Sequence, residues 1–453
     1  MKAKVYAAFY SKEKGKEGWP SKDFDPELRR DYLLRRIKSS ENIQFIGGDI
    51  ISDFDEVKKI EEKEDIDGIL VYTLTTPPMG KTPWAIREGQ TKTDISIFRS
   101  HPMILVSDMY GGEMPLFDFY DWASRNKLPV LPITSSRFED LTEALHLIEV
   151  IHDMKGSKIL NIGESKERRD QSHWWRRQPE EYFKTLKGIF GIEVITIGSD
   201  ELNRYYESAD DGPARELARK WIDGAVEVME PSEEEILKSA RMYFAIKKAM
   251  EDVGADAVTI DCLTFFYDGA LPAYPCLAFA HLNDEGSTGV CEGDLDGTLT
   301  QLVMRYLTGR PGFISDPVID TATQQVIYVH CVAPTKVYGE GGPSAPYMIR
   351  SHAEDGKGAS IQVIMPSDEI ITTVKINVLD KKIAIHQGKS IGNVDEERAC
   401  RTKLVVETDA EKIFKNYRYG TFGWHRVSFY GDFRKEVRDL ATFLGFEVVE
   451  EDS

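Results

Sequence analysis

The 453-residue sequence has no apolar run approaching the roughly 20 residues needed to span a bilayer, so a transmembrane protein is not expected. Its first residues, MKAKVYAAFYSKEKGKEGWP, lack a sustained apolar core and a small-residue cleavage site; they read as a first strand rather than a secretory signal. Cysteine is scarce. The five (Cys262, Cys276, Cys291, Cys331, Cys400) form no CxxC pair, and their number is odd. A disulfide framework and a paired-cysteine structural zinc site are both disfavoured, and a cytoplasmic chain with reduced thiols is expected. Positive charge is also short: 57 Lys and Arg against 76 Asp and Glu give a net charge of -19. That argues against nucleic acid or an anionic membrane as partner and leaves a small neutral substrate open. No GxxxxGK[ST] loop and no HExxH helix is present.

What is present is ordinary for a soluble globular chain, with 41% hydrophobic and 29% charged residues, and the length suits two or three domains. Short β-branched runs, KVYAAFY (4–10), IQFIGG (43–48), GILVYTL (68–74), PMILVSD (102–108) and PVLPIT (129–134), alternate with helical stretches such as PELRRDYLLRRIKSS and FEDLTEALHLIEVIHDM. This is the pattern of a parallel sheet with crossover helices. A second series begins at SKILNIG and includes IEVITIG, ADAVTIDCL and the helix SEEEILKSARMYFAIKKAMEDVG, with Gly254 as its stop. After about residue 312 the texture changes to strands and hairpins, QQVIYVHCV, SIQVIMPS, ITTVKINVLDKKIAIHQGKSIG and RTKLVVETD, with one late helix, KEVRDLATFLG. The fold class expected is α/β: two parallel-sheet domains, 1–155 and 156–311, then a β-rich, barrel-like C-terminal domain, 312–453.

The chemistry concentrates around CEGDLDGTLTQLVMRYLTGRPGFISDP, Cys291–Pro317. Asp294 or Asp296 suits a helix N-cap, which leaves Glu292 outside the helix. Asp316 before Pro317 has an ordinary reading as a turn residue. The pair says more. A helix of about 14 residues travels roughly 20 Å, Thr308-Gly309 reverses the chain, and an extended PGFIS recovers much of that distance. Glu292 and Asp316 can therefore meet at one end of a sheet. His330 closes a strand, and His425 follows Gly423-Trp424, where Gly before a bulky aromatic suggests a tight backbone fit. Either histidine has a structural reading as well. Glu292, Asp316, His330 and His425 together would make a mixed O/N site suited to Mn²⁺, Co²⁺ or Fe²⁺, and less well to Mg²⁺. His146 and His152, in a helical stretch, and His173, in a charged loop, read as structural or solvated, while His101 and His281 stay ambiguous. YGGEMP (110–115) and TLTTPPMGKTP (73–83) follow parallel strands, where α/β sheets bind ligands, or are plain connections. SHWWRRQ (172–178) could stack on a sugar or pack at a subunit interface. YGEGGPSAP (338–346) reads as a loop, not a phosphate cradle.

At these residues the sequence resembles the L-fucose/L-arabinose isomerase superfamily, and most closely the fucose isomerase-like proteins. The likeness rests on CEGDLDGTLTQLVMRYLTGRP with its TGRP turn, then GFISDP, then His330-Cys331 before Ala333-Pro334, and the terminal GWHRVSFYGD. The resemblance implies a metal-dependent aldose–ketose isomerase working through a cis-enediolate. It puts metal ligands on Glu292, Asp316 and His425, with His330 as a further one, and makes Glu292 and Asp316 the catalytic proton-transfer pair. It also implies a divalent ion such as Mn²⁺, a monosaccharide substrate and a homo-oligomer, trimer or hexamer. Two other readings share the scaffold: a sugar-binding or regulatory protein without chemistry, and a metal-dependent lyase on a sugar acid, for which Arg176, Arg177 and Arg401 could meet a carboxylate. A histidine ligand needs its second ring nitrogen oriented by a partner, and the sequence does not identify one.

Overall fold

The computed structural model describes residues 2–37, 42–52, 56, 65–77, 100–163 and 179–453. The SHWWRRQ segment, with Arg176, Arg177 and His173, and most of TLTTPPMGKTP lie outside them. The chain divides into two compact units, Met1–Asp153 with Glu436–Glu447, and Met154–Lys435 with Val448–Ser453.

The first unit holds five parallel strands: β1 (Ala3–Tyr10), β2 (Ile43–Ile51), β3 (Gly68–Thr73), β4 (Met103–Ser107) and β5 (Val130–Ile133), in the order β2-β1-β3-β4-β5. Strands β3 and β4 are buried at every position, as expected of strands covered on both faces.

The second unit carries two layers of different origin. Strands β6 (Lys158–Ile162), β7 (Glu193–Ile197), β9 (Ala257–Ile260) and β10 (Thr288–Val290) form a parallel sheet in the order β10-β9-β6-β7. The helix Glu233–Val253 starts on Ser232, whose hydroxyl accepts from Glu235 N at 3.3 Å, and stops at Gly254, which takes the left-handed conformation (φ 65°). Between β7 and β9 lies a short strand, β8 (Glu227–Val228), which pairs with β13 (Tyr347–Arg350), itself paired to β14 (Ser360–Val363).

The remaining strands are antiparallel: β11 (Phe313–Asp320), β12 (Gln325–His330), β15 (Ile370–Asn377), β16 (Lys382–Asn393), β17 (Thr402–Glu407), β18 (Arg426–Tyr430) and β19 (Glu447–Glu450). They run in the order β15-β18-β11-β12-β17-β16-β19, and β15 also pairs with β16. Six of these strands therefore close into a ring, and β19 is added alongside β16. The α/β regions and the strand-rich, barrel-like C-terminal part are those expected from the sequence. Among the described residues no helix is long and apolar enough to cross a membrane.

The barrel interior is unusually polar. Arg426 and Glu451 are fully buried and paired, with Nη2 to Oε1 at 2.7 Å. Glu451 Oε2 also accepts from His386 Nδ1 at 2.8 Å, and His386 Nε2 meets the Tyr328 hydroxyl at 2.5 Å. A buried ion pair survives only when its remaining donors and acceptors are satisfied, and here they are linked into one chain.

Candidate metal centre

The site starts where β10 ends. Cys291 follows the strand, and Glu292 and Gly293 both take positive φ (63° and 60°). For Glu292 that is a sparsely populated, strained conformation, held in place as Gly293 N donates to Ile260 O at 2.8 Å. The turn aims Glu292 away from the helix that begins one residue beyond Asp294. Asp294 is the cap of that helix, Leu295–Thr308: its Oδ1 accepts from Gly297 N at 2.8 Å. The helix ends on Gly309 in the left-handed conformation (φ 66°), and the chain returns as β11.

Asp316 lies inside β11, not in a turn. Its register partner on β12 is Val329, and on the other side Ser315 pairs with Arg426 of β18. Pro317 is tolerated because the pairing with β18 ends at Ser315, so no ladder bond is asked of its missing N–H. Three neighbouring strands, β18, β11 and β12, thus bring His425, Asp316 and His330 to one rim of the barrel, where Glu292 arrives from the parallel sheet.

His425 meets both carboxylates, and His330 meets Glu292. His425 Nε2 is 3.4 Å from Glu292 Oε2 and 3.3 Å from Asp316 Oδ1. His330 Nε2 is 3.4 Å from Glu292 Oε1, and the two imidazoles stand at 67° with centroids 5.5 Å apart. Donor atoms of Glu292, His330 and His425 all lie within 4.8 Å of one another, close enough to share one ion. The histidines are buried (1% and 6% exposed), while the carboxylate side chains keep 25% and 18% of their surface, so the centre opens to solvent on its acidic side.

His330 Nε2 is buried and makes no hydrogen bond. A buried, unsatisfied imidazole nitrogen aimed at a carboxylate is costly in an apoprotein and is what a metal ligand requires. Two carboxylates and two imidazoles form a donor set suited to a divalent first-row ion.

Electrostatics follow the same crowding. Burial works against ionisation of Glu292, but the His425 and His330 imidazoles hold its carboxyl well below the usual range. Burial raises Asp316, with His425 and His330 opposing. Burial would lower His425, but Glu292, a hydrogen bond to Asp294 and Asp316 raise it to about 10.

Sequence reasoning missed the orienting partner. Asp294 is more than a cap: its Oδ2 accepts from His425 Nδ1 at 3.0 Å and from the buried Lys375 ammonium. Donation from Nδ1 to Asp294 turns Nε2 towards Glu292 and Asp316, where a bound ion would take the place of its proton. The short-range cap pattern was readable, whereas a bond across 131 residues leaves no local trace. Arg426 is a second omission. From inside the barrel its Nη1 donates to the carbonyls of His425 and Gly423, both at 3.1 Å, fastening the segment that carries this candidate ligand. Gly423 has φ 68° and ψ −164°, a region open in practice only to glycine. An added Cβ would meet nothing within 4 Å, so the expected tight backbone fit gives way to a conformational requirement.

The other candidates are committed elsewhere. His146 pairs with Glu149 and His152 with Asp67. His281 packs edge-on against Trp221 and Tyr243. Arg401, a possible carboxylate contact, is buried and spends its guanidinium on Glu397 and the backbone and hydroxyl of Ser351. Trp424, beside His425, is 56% exposed.

No family model matches the chain. It is similar to proteins named sulfoquinovose isomerase. Those of Priestia aryabhattai and Priestia megaterium are 22% identical over 272 residues, 58% of this chain and 58% of each relative. That of Alkalicoccus urumqiensis is 20% identical over 319 residues, 67% of this chain and 68% of the relative. The match to the two Priestia proteins thus spans less than two thirds of their length. These similarities agree with the resemblance to the L-fucose/L-arabinose isomerase superfamily drawn from the sequence motifs.

Proposed function

We propose that the protein is a divalent-metal-dependent aldose–ketose isomerase acting on a monosaccharide. The observation that carries this reading is the convergence of Glu292, Asp316, His330 and His425, with His425 Nε2 within 3.4 Å of both carboxylates and His330 Nε2 left without a hydrogen bond. Sulfoquinovose is the first substrate to test, because the similar proteins carry that name. The proposal takes the native ion to be Mn²⁺ and the enzyme to work as a cytoplasmic homo-oligomer. It also takes the chain as three segments, 1–155, 156–311 and 312–453, with Glu292 drawn from the second and the other three ligands from the third.

Isomerisation moves one proton between C1 and C2 and another between their oxygens. A divalent ion held by the four residues would stabilise the negative charge that develops on those oxygens. Glu292 and Asp316 are the groups able to move protons, since both carboxylates reach the open side of the centre. Their environments push them apart: Glu292 is held ionised by two imidazoles, and Asp316 is raised by burial. One is thereby suited to accept the carbon-bound proton and the other to return one. His425, fixed by Asp294 and by the Arg426-anchored backbone, and His330 hold the ion in place. Trp424 offers an exposed aromatic face against which a sugar ring can lie.

The test is hydrogen exchange at C2 in D₂O, followed by NMR across aldoses and ketoses with Mn²⁺, Co²⁺ and Mg²⁺. Sugar-dependent and metal-dependent exchange is expected, and Glu292→Gln should lose turnover and metal affinity together. Full metal-dependent turnover in that variant would show Glu292 to be a turn residue. Binding of a sugar without any exchange would favour a non-catalytic sugar-binding protein.

A further inference from the structure

The first unit holds a cavity of about 250 Å³ that the proposed isomerase chemistry does not use. It lies at the C-terminal ends of β3, β4 and β5, which run parallel, so all three strands end on the same side of the sheet. Open α/β sheets take their ligands on that side. Tyr72 reaches the cavity from β3, Ser107 and Asp108 from the end of β4, Arg29 and Arg36 from the helix Pro26–Ile37, and Arg137 from the segment before the helix Phe138–Met154. Three of the lining residues are thus arginines, and one, Asp108, is acidic. None of them belongs to the metal centre.

The side chains there are donors in excess of acceptors. Ser107 is 3% exposed, and its hydroxyl makes no hydrogen bond. A hydroxyl buried without a partner costs free energy that a ligand supplying an acceptor would recover. Asp108 is already taken: it accepts from Arg29 Nε at 2.8 Å and from Arg29 Nη2 at 2.7 Å. That fork leaves Arg29 Nη1 to donate elsewhere. Arg36 holds its guanidinium 4.6 Å from the centroid of the Phe138 ring, and Arg137 pairs with Asp140. Burial pushes the Tyr72 phenol up, with Asp108 adding and Arg36 and Arg29 opposing, so the phenol is present in its neutral form. We propose that this cavity binds a small tetrahedral oxyanion, a phosphate or sulfate group either free or carried by a short metabolite, in contact with Ser107, Arg29 and Arg36. Guanidinium donors match the oxygens of such a group, and one of those oxygens gives Ser107 the acceptor it lacks. The volume lies below the roughly 300 Å³ at which pockets for drug-sized ligands begin, which suits a small ion and not a dinucleotide.

The inference does not rest on the isomerase reading, and its test keeps the two apart. Full-length protein, freed of metal with a chelator, is titrated by calorimetry with inorganic phosphate, sulfate and methyl phosphate, with chloride holding the ionic strength constant. Saturable binding is expected for at least one of these anions. Tighter binding of methyl phosphate supports a site for a phosphorylated metabolite, and tighter binding of inorganic phosphate or sulfate supports a site for the free anion. Ser107→Ala removes only the unpartnered hydroxyl. Without ligand its melting temperature should match or exceed that of the parent, while its anion affinity falls about tenfold. Arg36→Gln should lower the affinity at least as much, with circular dichroism reporting its fold, and Glu292→Gln, which disables only the metal centre, should leave it unchanged. No saturable binding of any of these anions at millimolar concentration, parental affinity in Ser107→Ala, or loss of binding in Glu292→Gln would each overturn the proposal.

Discussion

Asp294→Asn separates what Asp294 does for folding from what it does for the metal centre. The carboxylate has three partners: Gly297 N as a helix cap, His425 Nδ1, and the Lys375 ammonium. Asparagine caps helices as well as aspartate, so the first loss is a few tenths of a kcal/mol at most. Lys375 is 2% exposed, and removing its counter-charge leaves a buried cation unpaired, a cost of about 3–5 kcal/mol. Loss of the carboxylate behind a ligating imidazole weakens metal affinity by about 10–100-fold. The two effects come apart in Asp294→Asn with Lys375→Met. Removing the stranded cation should recover most of the unfolding free energy in a urea titration, while Mn²⁺ affinity, read by isothermal titration calorimetry, stays low. If the double variant binds Mn²⁺ as tightly as the unaltered protein, Asp294 serves folding alone and does not orient His425 for the metal.

Gly423→Ala forces a β-carbon into a backbone region reserved for glycine, so a loss of about 1–3 kcal/mol is expected, together with weaker metal binding as His425 shifts; a melting temperature within a degree of the parent would contradict it. Burial raises the Asp296 carboxyl to about 8, with Lys375 opposing and Asp294 adding. A carboxyl whose folded pKa lies above its unfolded value binds more protons when folded. Stability should therefore fall as pH rises from about 4 to about 8, by about 1.4 kcal/mol per pH unit at most. Asp296→Asn should flatten that slope in denaturant titrations at pH 5, 6.5 and 8, and an unchanged slope would assign it to another group. Trp424→Ala should raise KM several-fold with little change in kcat if the exposed indole only supports the sugar; an equal fall in both kcat and kcat/KM would place it in the transition state instead.

Much of this was readable where information is local. The stretch Cys291–Pro317 announced a capped helix, a glycine stop and a return strand, and these deliver Glu292 and Asp316 to the same histidine nitrogen. Alternation of short apolar runs with helical periods gave the two parallel sheets, and the loss of helices after residue 312 gave the barrel. The Pro after Asp316 favoured a turn, because a proline inside a strand is unusual; it fits only since the β18 pairing stops one residue short of Asp316. Other features needed register. Lys375 reads as one polar residue in an apolar strand, TTVKINV, and nothing local says it faces a buried Asp294 from 81 residues away.

The positions of the hidden residues also show how His425 is anchored. Of the four candidate ligands, His425 alone lies on a connecting segment between helix and strand with an exposed neighbour, yet it is fixed from two sides. Asp294 holds its ring from the cap of the helix Leu295–Thr308, and Arg426 holds its carbonyl from inside the barrel. Arg426 is in turn held by Glu451, and Glu451 by His386, so the backbone of a surface segment is anchored through a fully buried charge. Replacing that pair with apolar side chains of equal volume would cost little stability in many proteins. In this barrel it would also release two carbonyls beside a candidate metal ligand. Such a replacement should therefore lower metal affinity more than it lowers the unfolding free energy. A barrel that can be made apolar with metal binding intact would show that the buried Arg426–Glu451 pair does not anchor His425.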